Sequence, residues 1–365
     1  MEEQVKLEKK LAKLGIEIIR EFTPSEVNYI AKEVTDALVI NFSILKERTN
    51  EILTQLLSCK MYFTNINKNS NISSVNYIYE NNAIYFGNNV NFNKIDDVII
   101  HECIHYLQDN RTDRGKLKKI GLCSFKEFST YGMGINEAAV QYISSKAAGR
   151  SLEITKKNGI ILKTISPNYY PFLTNLIYQI IYLLGEEIIV DGVITSKQDF
   201  DDTFLNTFEE KSNAIKKGFD QIIDLRNKSN IKTENKELIS KQITDIYLEL
   251  QNIIFKTYFD KICSRINTID EVNFYTDKII NFKQLMGTSE EKEFELNCEY
   301  EQYKQNILNK FDRKVVEINK RTSKNALTVI YNNNRLLRFL KQNFIEIFLS
   351  NLILMLILQL LHSYE

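Results

Sequence analysis

Leu7, Leu11, Leu14 and Ile18 recur at three- and four-residue spacing with Lys and Glu between them, so residues 1–22 are expected to form an amphipathic helix. A second helix is announced at Thr23, whose hydroxyl can cap. Pro24 suits the first helical turn, and Glu26 completes a capping box. That helix should run to about Leu38, and another should cover Leu45 to Leu57. The texture then changes. Residues 60–66, 73–80 and 83–88 are rich in Tyr, Ile, Phe and Val, are parted by Asn-rich turns, and read as strands. Asn81-Asn82 suits a tight hairpin, because Asn tolerates positive φ.

Helix resumes near Asn93, a candidate N-cap, with Asp96 and Asp97 in the first turn where the helix dipole favours anions. Ile95, Val98, Ile99, Ile100, Cys103, Ile104 and Leu107 clothe this helix nearly all round, which predicts burial. A loop region from Asn110 to Gly134 leads to a helix from Ile135 to Ala148, stopped by Gly149. From about Tyr170 the pattern is helical, with joints at Asn227 to Asn235 and at Thr288 to Glu291. The expected fold class is α+β, in four parts: an N-terminal helix (1–22), a mixed domain (23–195), a helical region (196–342) and a hydrophobic tail (343–365).

Charge changes this picture by exclusion. Lys+Arg and Asp+Glu both total 47, so no global field draws the chain to nucleic acid. Five scattered cysteines without a CxxC pair predict free thiols in a reducing compartment. The opening Met-Glu-Glu-Gln-Val-Lys lacks the apolar segment of a secretory signal, and a cytoplasmic location is expected. The stretch from Phe344 to Leu361 is largely Leu, Ile, Phe and Met, interrupted by Glu346, Ser350, Asn351 and Gln359. It reads either as a C-terminal membrane anchor or as a buried or oligomer-forming helix.

The chain holds three histidines, and two of them stand in His101-Glu102-Cys103-Ile104-His105. A spacing of four puts both imidazoles on one helix face, one turn apart, where they can hold a single Zn²⁺. Glu102 sits beside that face and can take a proton from a water acidified by the metal. Catalytic zinc needs a third protein ligand. Glu137, in Gly134-Ile135-Asn136-Glu137-Ala138-Ala139, is the best candidate: Gly132 and Gly134 allow a tight turn, and the alanines let two helices approach closely. Cys103 points to the far side of its helix and reads as core.

These blocks resemble the gluzincins, zinc peptidases whose third ligand is glutamate, and their thermolysin-like members in particular. The resemblance spans residues 75 to 145. It implies a zincin-like domain, peptide or protein substrates, and zinc on His101, His105 and Glu137. It also implies an edge strand at Asn82-Ala83-Ile84-Tyr85, where Asn82 and Ala83 hold substrate extended. The pattern departs in two places. Gln141 stands where those enzymes have an Asp that orients a zinc histidine. The histidine that stabilises their oxyanion has no counterpart, so a tyrosine would have to serve, with Tyr131, Tyr142, Tyr169, Tyr170 and Tyr178 as candidates. The leading expectation is a zinc metallopeptidase with Glu102 as its base. Beside it stand a dedicated regulatory peptidase cleaving one cytosolic protein, and a non-catalytic interaction protein whose helices the metal stabilises.

Overall fold

The computed structural model describes residues 9–67, 72–111, 117–126, 129–231, 235–263 and 268–289, then 297, 299–306, 308, 309 and 312. The hydrophobic tail and the second half of the expected Thr288–Glu291 joint lie outside these residues. Among the described residues no helix is long and apolar enough to cross a membrane. The architecture is α+β. One compact unit takes in residues 1–265 and 277–301, so its packing continues across position 195. A second unit is made of residues 266–276 and 302–365.

The N-terminal expectation is corrected at Gly15. Helix covers residues 9–14, and Gly15 at φ +77° turns the chain into strand β1 (Ile16–Glu21). Only glycine adopts that conformation cheaply, so the periodicity that carried Ile18 into the helix is broken by backbone, not by pattern. Helix α1 (Pro24–Asn41) begins with the predicted capping box: Thr23 Oγ1 accepts from the Glu26 amide and Glu26 accepts from the Thr23 amide. Arg20 then grips both Glu26 oxygens at 2.8 and 2.7 Å and, with the Thr23 amide, holds that carboxyl down at about 2. A 3₁₀ turn (Ser43–Arg48) and α2 (Thr49–Leu57) follow, in the span read as one helix.

Strands β2 (Lys60–Ile66), β3 (Val75–Ile78) and β4 (Ala83–Gly87) complete a sheet of order β1-β2-β4-β3. Strand β4 runs parallel to β2 and antiparallel to β3. The stretch expected to form an edge is therefore interior, and β3 is the edge. Its composition explains why: all five residues of Ala-Ile-Tyr-Phe-Gly are buried, the continuous apolar run of a strand covered on both faces. Ala83 and Tyr85 join a cluster with Leu11, Ile16 and Ile78, while Phe86 packs on Phe22 with ring centres 4.9 Å apart. The β3–β4 turn carries Asn82 at φ +53°, as its sequence suggests.

Helix α3 (Asp97–Leu107) starts at Asp96, whose carboxylate accepts from the Val98 and Ile99 amides at 3.1 and 3.0 Å. The region expected to be loop instead holds a small antiparallel sheet, β5 (Asp109–Arg111), β6 (Leu117–Ile120), β7 (Cys123–Lys126) and β8 (Ser129–Tyr131), in sequential order. Strands of three or four residues are too short to print an alternation. Helix α4 (Met133–Ala147) is buried along almost its whole length. A hairpin follows, β9 (Glu153–Lys157) and β10 (Ile160–Thr164), joined by Asn158-Gly159 with both φ positive, +48° and +82°.

Helices α5 (Pro171–Leu184), α6 (Glu186–Thr195), α7 (Asp199–Phe208), α8 (Ser212–Ile231) and α9 (Lys236–Cys263) wrap this core. Helix α10 (Ile269–Lys283) opens, in the second unit, with a capping box between Thr268 and Glu271. Helices α4 and α8 touch where Gly134 has no side chain: an added Cβ would collide with the Phe219 carbonyl group and the Asp220 nitrogen. Gly134→Ala should therefore cost about 1–3 kcal/mol, the range for an overpacked core, read as a lower urea midpoint with unchanged slope.

Candidate metal centre

Two helices make the cluster, and each brings its side chains there by a simple device. On α3 the spacing of four sets His101 over His105. On α4 the fully buried Ala138 and Ala139 flank Glu137, and the two helices pack directly together. The three side chains converge. The two imidazole Nε2 atoms lie 3.0 Å apart, and the Glu137 oxygens are 3.4 Å from His101 Nε2 and 3.2 Å from His105 Nε2. For metal–ligand bonds of about 2.0–2.2 Å, the edge of a tetrahedron is about 3.3–3.6 Å. Each of the three separations is within a few tenths of an ångström of such an edge, with Glu137 offering a different oxygen to each imidazole, and the cluster can hold a metal ion.

Charge supports the same reading. Burial opposes ionisation of Glu137, but His105 and His101 outweigh it and hold the carboxyl well below the usual carboxylate range. Burial likewise works against a charged His105, yet Glu137 raises it to about 9, with help from Glu102 and Gln108. The cluster without a metal is therefore an ion pair between His105 and Glu137.

Outside the ligands, the structure departs from expectation. His105 Nδ1 meets Gln108 Oε1 at 2.8 Å, and Gln108 pairs with Asn136, which donates to the same oxygen at 3.0 Å. Asn136 Oδ1 in turn accepts from the Leu122 amide at 3.0 Å. With Nδ1 as the donor, a deprotonated His105 would offer its Nε2 lone pair to a metal ion. Gly121, at φ +52°, lies so close to this amide pair that a side chain there would strike both Gln108 and Asn136. Gln141 does not take the orienting role; it donates to Ser145 and Ser166 at 3.0 and 3.1 Å. His101 Nδ1 is buried and has no partner among the described residues. Gln108 sits three residues after His105, at the helix C-cap, and that spacing was its only sequence signal.

Glu102 accepts the Tyr77 amide of edge strand β3 at 2.7 Å, and burial raises its carboxyl against the pull of His101 and His105. Asn82 is exposed, and its Oδ1 accepts the Tyr77 hydroxyl, which also bonds Asp109. Ala83 is buried and paired with both Lys60 and Ile78. Neither residue lies on the sheet edge that faces Glu102. Of the five candidate tyrosines, Tyr169 and Tyr170 feel the charges of Glu102 and Glu137, and burial pushes both phenols up. The Arg226 guanidinium lies 3.8 Å over the Tyr170 ring and 4.7 Å over that of Tyr169. Tyr142 is occupied by Glu186 at 2.7 Å and stacks on Tyr178, and Tyr131 is half-exposed on β8.

Two glycines and an aspartate fix the third ligand's helix. Gly132 enters α4 at φ +80°, and Asp220 from α8 accepts the amides of Gly132 and Gly134 at 3.0 and 2.7 Å. A carboxylate at a helix N-terminus satisfies amides that have no partner within the helix. A larger cavity of about 1500 Å³, lined among others by Leu11, Ile16, Tyr62, Asn65, Ile72 and Tyr85, includes none of His101, His105 and Glu137.

No family model, curated protein or solved structure matches the chain.

Two measurements check this centre. Because His105 holds its proton up to about pH 9, metal must displace it, so affinity should rise about tenfold per pH unit between 7 and 9, with proton release seen by calorimetry in two buffers. In the metal-free protein the sign is the ordinary one for a raised histidine: its stabilisation is complete below about 6.5 and is lost as pH climbs through about 9. Gln108→Leu should weaken metal binding about 10–100-fold, as loss of a histidine's outer partner does, while the three ligands remain.

Proposed function

We propose that the chain is a zinc-dependent metallopeptidase with a zincin-like catalytic core. The observation that carries this reading is the convergence of His101, His105 and Glu137 within about 3.0–3.4 Å beside a carboxylate, Glu102, that is not part of the cluster. Two imidazoles and one carboxylate are a set that zinc favours in hydrolytic sites, with the fourth position left to water or substrate. When bound there, zinc supplies Lewis-acid polarisation of a carbonyl and lowers the pKa of a water to about 7.

The protein's own groups have the remaining tasks. Glu102, raised by burial, takes a proton from the attacking water and returns it to the leaving amine, work that calls for a carboxyl poised nearer neutrality. Tyr170 and Tyr169 supply hydroxyl donors toward the oxygen on which negative charge develops. Arg226, stacked on both rings, adds positive charge to that side of the cleft. The substrate strand joins the outer edge of β3, where main-chain pairing fixes an extended peptide independently of its sequence; the Tyr77 amide on that edge is kept by Glu102. This assignment replaces the one made to Asn82 and Ala83: Asn82 helps to hold Tyr77, and Ala83 lies one strand further in.

Glu102→Gln should keep one zinc per chain, because its amide oxygen can still accept from Tyr77. It should also lower peptide cleavage about 10²–10⁴-fold. Turnover equal to the parent in that variant would sink the mechanism. Tyr170→Phe, which keeps the ring under Arg226, should lower kcat with little change in KM, since the hydroxyl is used only as charge develops.

A further inference from the structure

Tyr62 on β2 and Tyr85 on β4 are register partners, share one face of the sheet and stack with ring centres 5.3 Å apart. Phe63 and Phe86, their neighbours in sequence, point to the other face and pack on Phe22. The tyrosine face borders the cavity of about 1500 Å³. We infer that this cavity is a binding site for a neutral carbohydrate chain, separate from the metal cluster and independent of the peptidase reading.

The cavity has an apolar floor and an amide rim. Gly15, at φ +77°, turns the first helix into β1, and Leu11 and Ile16 on either side of that turn are buried in one cluster with Tyr85. The half-buried ring of Tyr62 packs against the same cluster. Around the mouth stand Asn65, Asn67, Asn88 and Asn89, all exposed. A sugar ring matches both parts. Its C–H face can lie on an aromatic ring, and its neighbouring hydroxyls each need a donor and an acceptor, which an amide offers from one side chain. Asn88 Nδ2 donates to Asn65 Oδ1 at 3.1 Å, which ties these two side chains together. The Asn65 amino group and the Asn88 amide oxygen are left without a partner among the described residues, a donor and an acceptor side by side.

Charge and size narrow the ligand class. Among the described residues of the wall there are one carboxylate, Glu17, and one ammonium, Lys60. A nucleic acid or polyphosphate would call for a cluster of cations. The volume exceeds the roughly 300–1,000 Å³ of sites for single small molecules, so several linked rings fit better than one. A peptide strand is the rival occupant, because β1 is a sheet edge and Ile18 lines the cavity. The bulge between Ile18 and Arg20 argues against it: an extra residue there breaks the even row of main-chain groups that an added strand would pair with.

The test uses the full chain with cellotetraose, maltotetraose and chitotetraose, three neutral tetrasaccharides that differ in linkage and substitution. Binding is read by calorimetry in the presence of a metal chelator. At least one should bind with a Kd of about 1 mM or tighter. Tyr62→Ala should weaken it about 3–10-fold, whereas Tyr62→Phe, which keeps the ring, should stay within about twofold of the parent. Asn65→Ala combined with Asn88→Ala changes exposed positions and leaves the floor alone; it should weaken binding about tenfold. No binding of any of the three sugars by the folded parent would overturn the inference, as would an affinity that neither Tyr62→Ala nor the double variant changes. The extended peptide Thr-Val-Thr-Val-Thr-Val is the rival probe, and its binding in place of the sugars would make the cavity a peptide groove and overturn the inference. Sugar binding that appears only with added zinc would move the ligand to the metal cluster and overturn the cavity as its site.

Discussion

A carboxylate pressed against two imidazoles between packed helices is the constraint on which the rest of this molecule depends. Glu137 enters a space where an unpaired negative charge would be very costly. It is tolerated because α3 presents His101 and His105 one turn apart and because Ala138, Ala139 and Gly134 let α4 come close enough to meet them. Removing either side would leave a charge uncompensated, which is why such clusters are costly to break whatever their net worth to stability. The raised His105 and the depressed Glu137 are two views of that single interaction.

Around it the protein spends its amide and hydroxyl groups on fixing directions. Gln108, Asn136 and the Leu122 amide hold His105 from behind, and Ser196 ties the Gln108 carbonyl to the Gly121 amide at 2.7 Å each. On the other flank Tyr77 is held three ways, by Glu102 through its amide and by Asn82 and Asp109 through its hydroxyl. The two networks do opposite jobs. One removes freedom from a ligand, and the other places the edge strand against the residue proposed as base.

What the sequence made legible is what short-range chemistry writes. His101, Glu102 and His105 announce their helix, the Asn136-Glu137-Ala138 run points to the partner helix, and Thr23–Glu26 marks a helix start that holds, while the cap expected at Asn93 falls instead on Asp96. Where pairing partners are distant, the text is silent. Nothing local tells Ala83–Gly87 that it will lie between β2 and β3, although its unbroken apolar run is compatible with little else. The β5–β8 sheet is too short to alternate visibly. Asn158-Gly159 between β9 and β10 is different: its two positive φ angles are those an Asn-Gly turn supplies, and the hairpin is readable in a stretch, between Gly149 and Tyr170, to which the sequence reading assigns no element. Gln108 and the Tyr169–Tyr170–Arg226 stack depend on three-dimensional neighbours, so residue type alone could not single them out.

The bond from Asp220 to the amides of Gly132 and Gly134 reaches across 88 and 86 residues of chain. Closing so long a loop draws on chain entropy that only later packing returns, and contacts of that span tend to slow folding. Six residues further along α8, about 9 Å by helical rise, stands Arg226, so one rod carries both the clamp on the ligand helix and the cation over the tyrosines. A nascent chain that has emerged only through α7 already contains His101, His105 and Glu137 but lacks the clamp that seats the helix of Glu137. On a ribosome supplying about 5–20 residues per second, this separation sets an interval in which the three residues exist and the finished cluster does not.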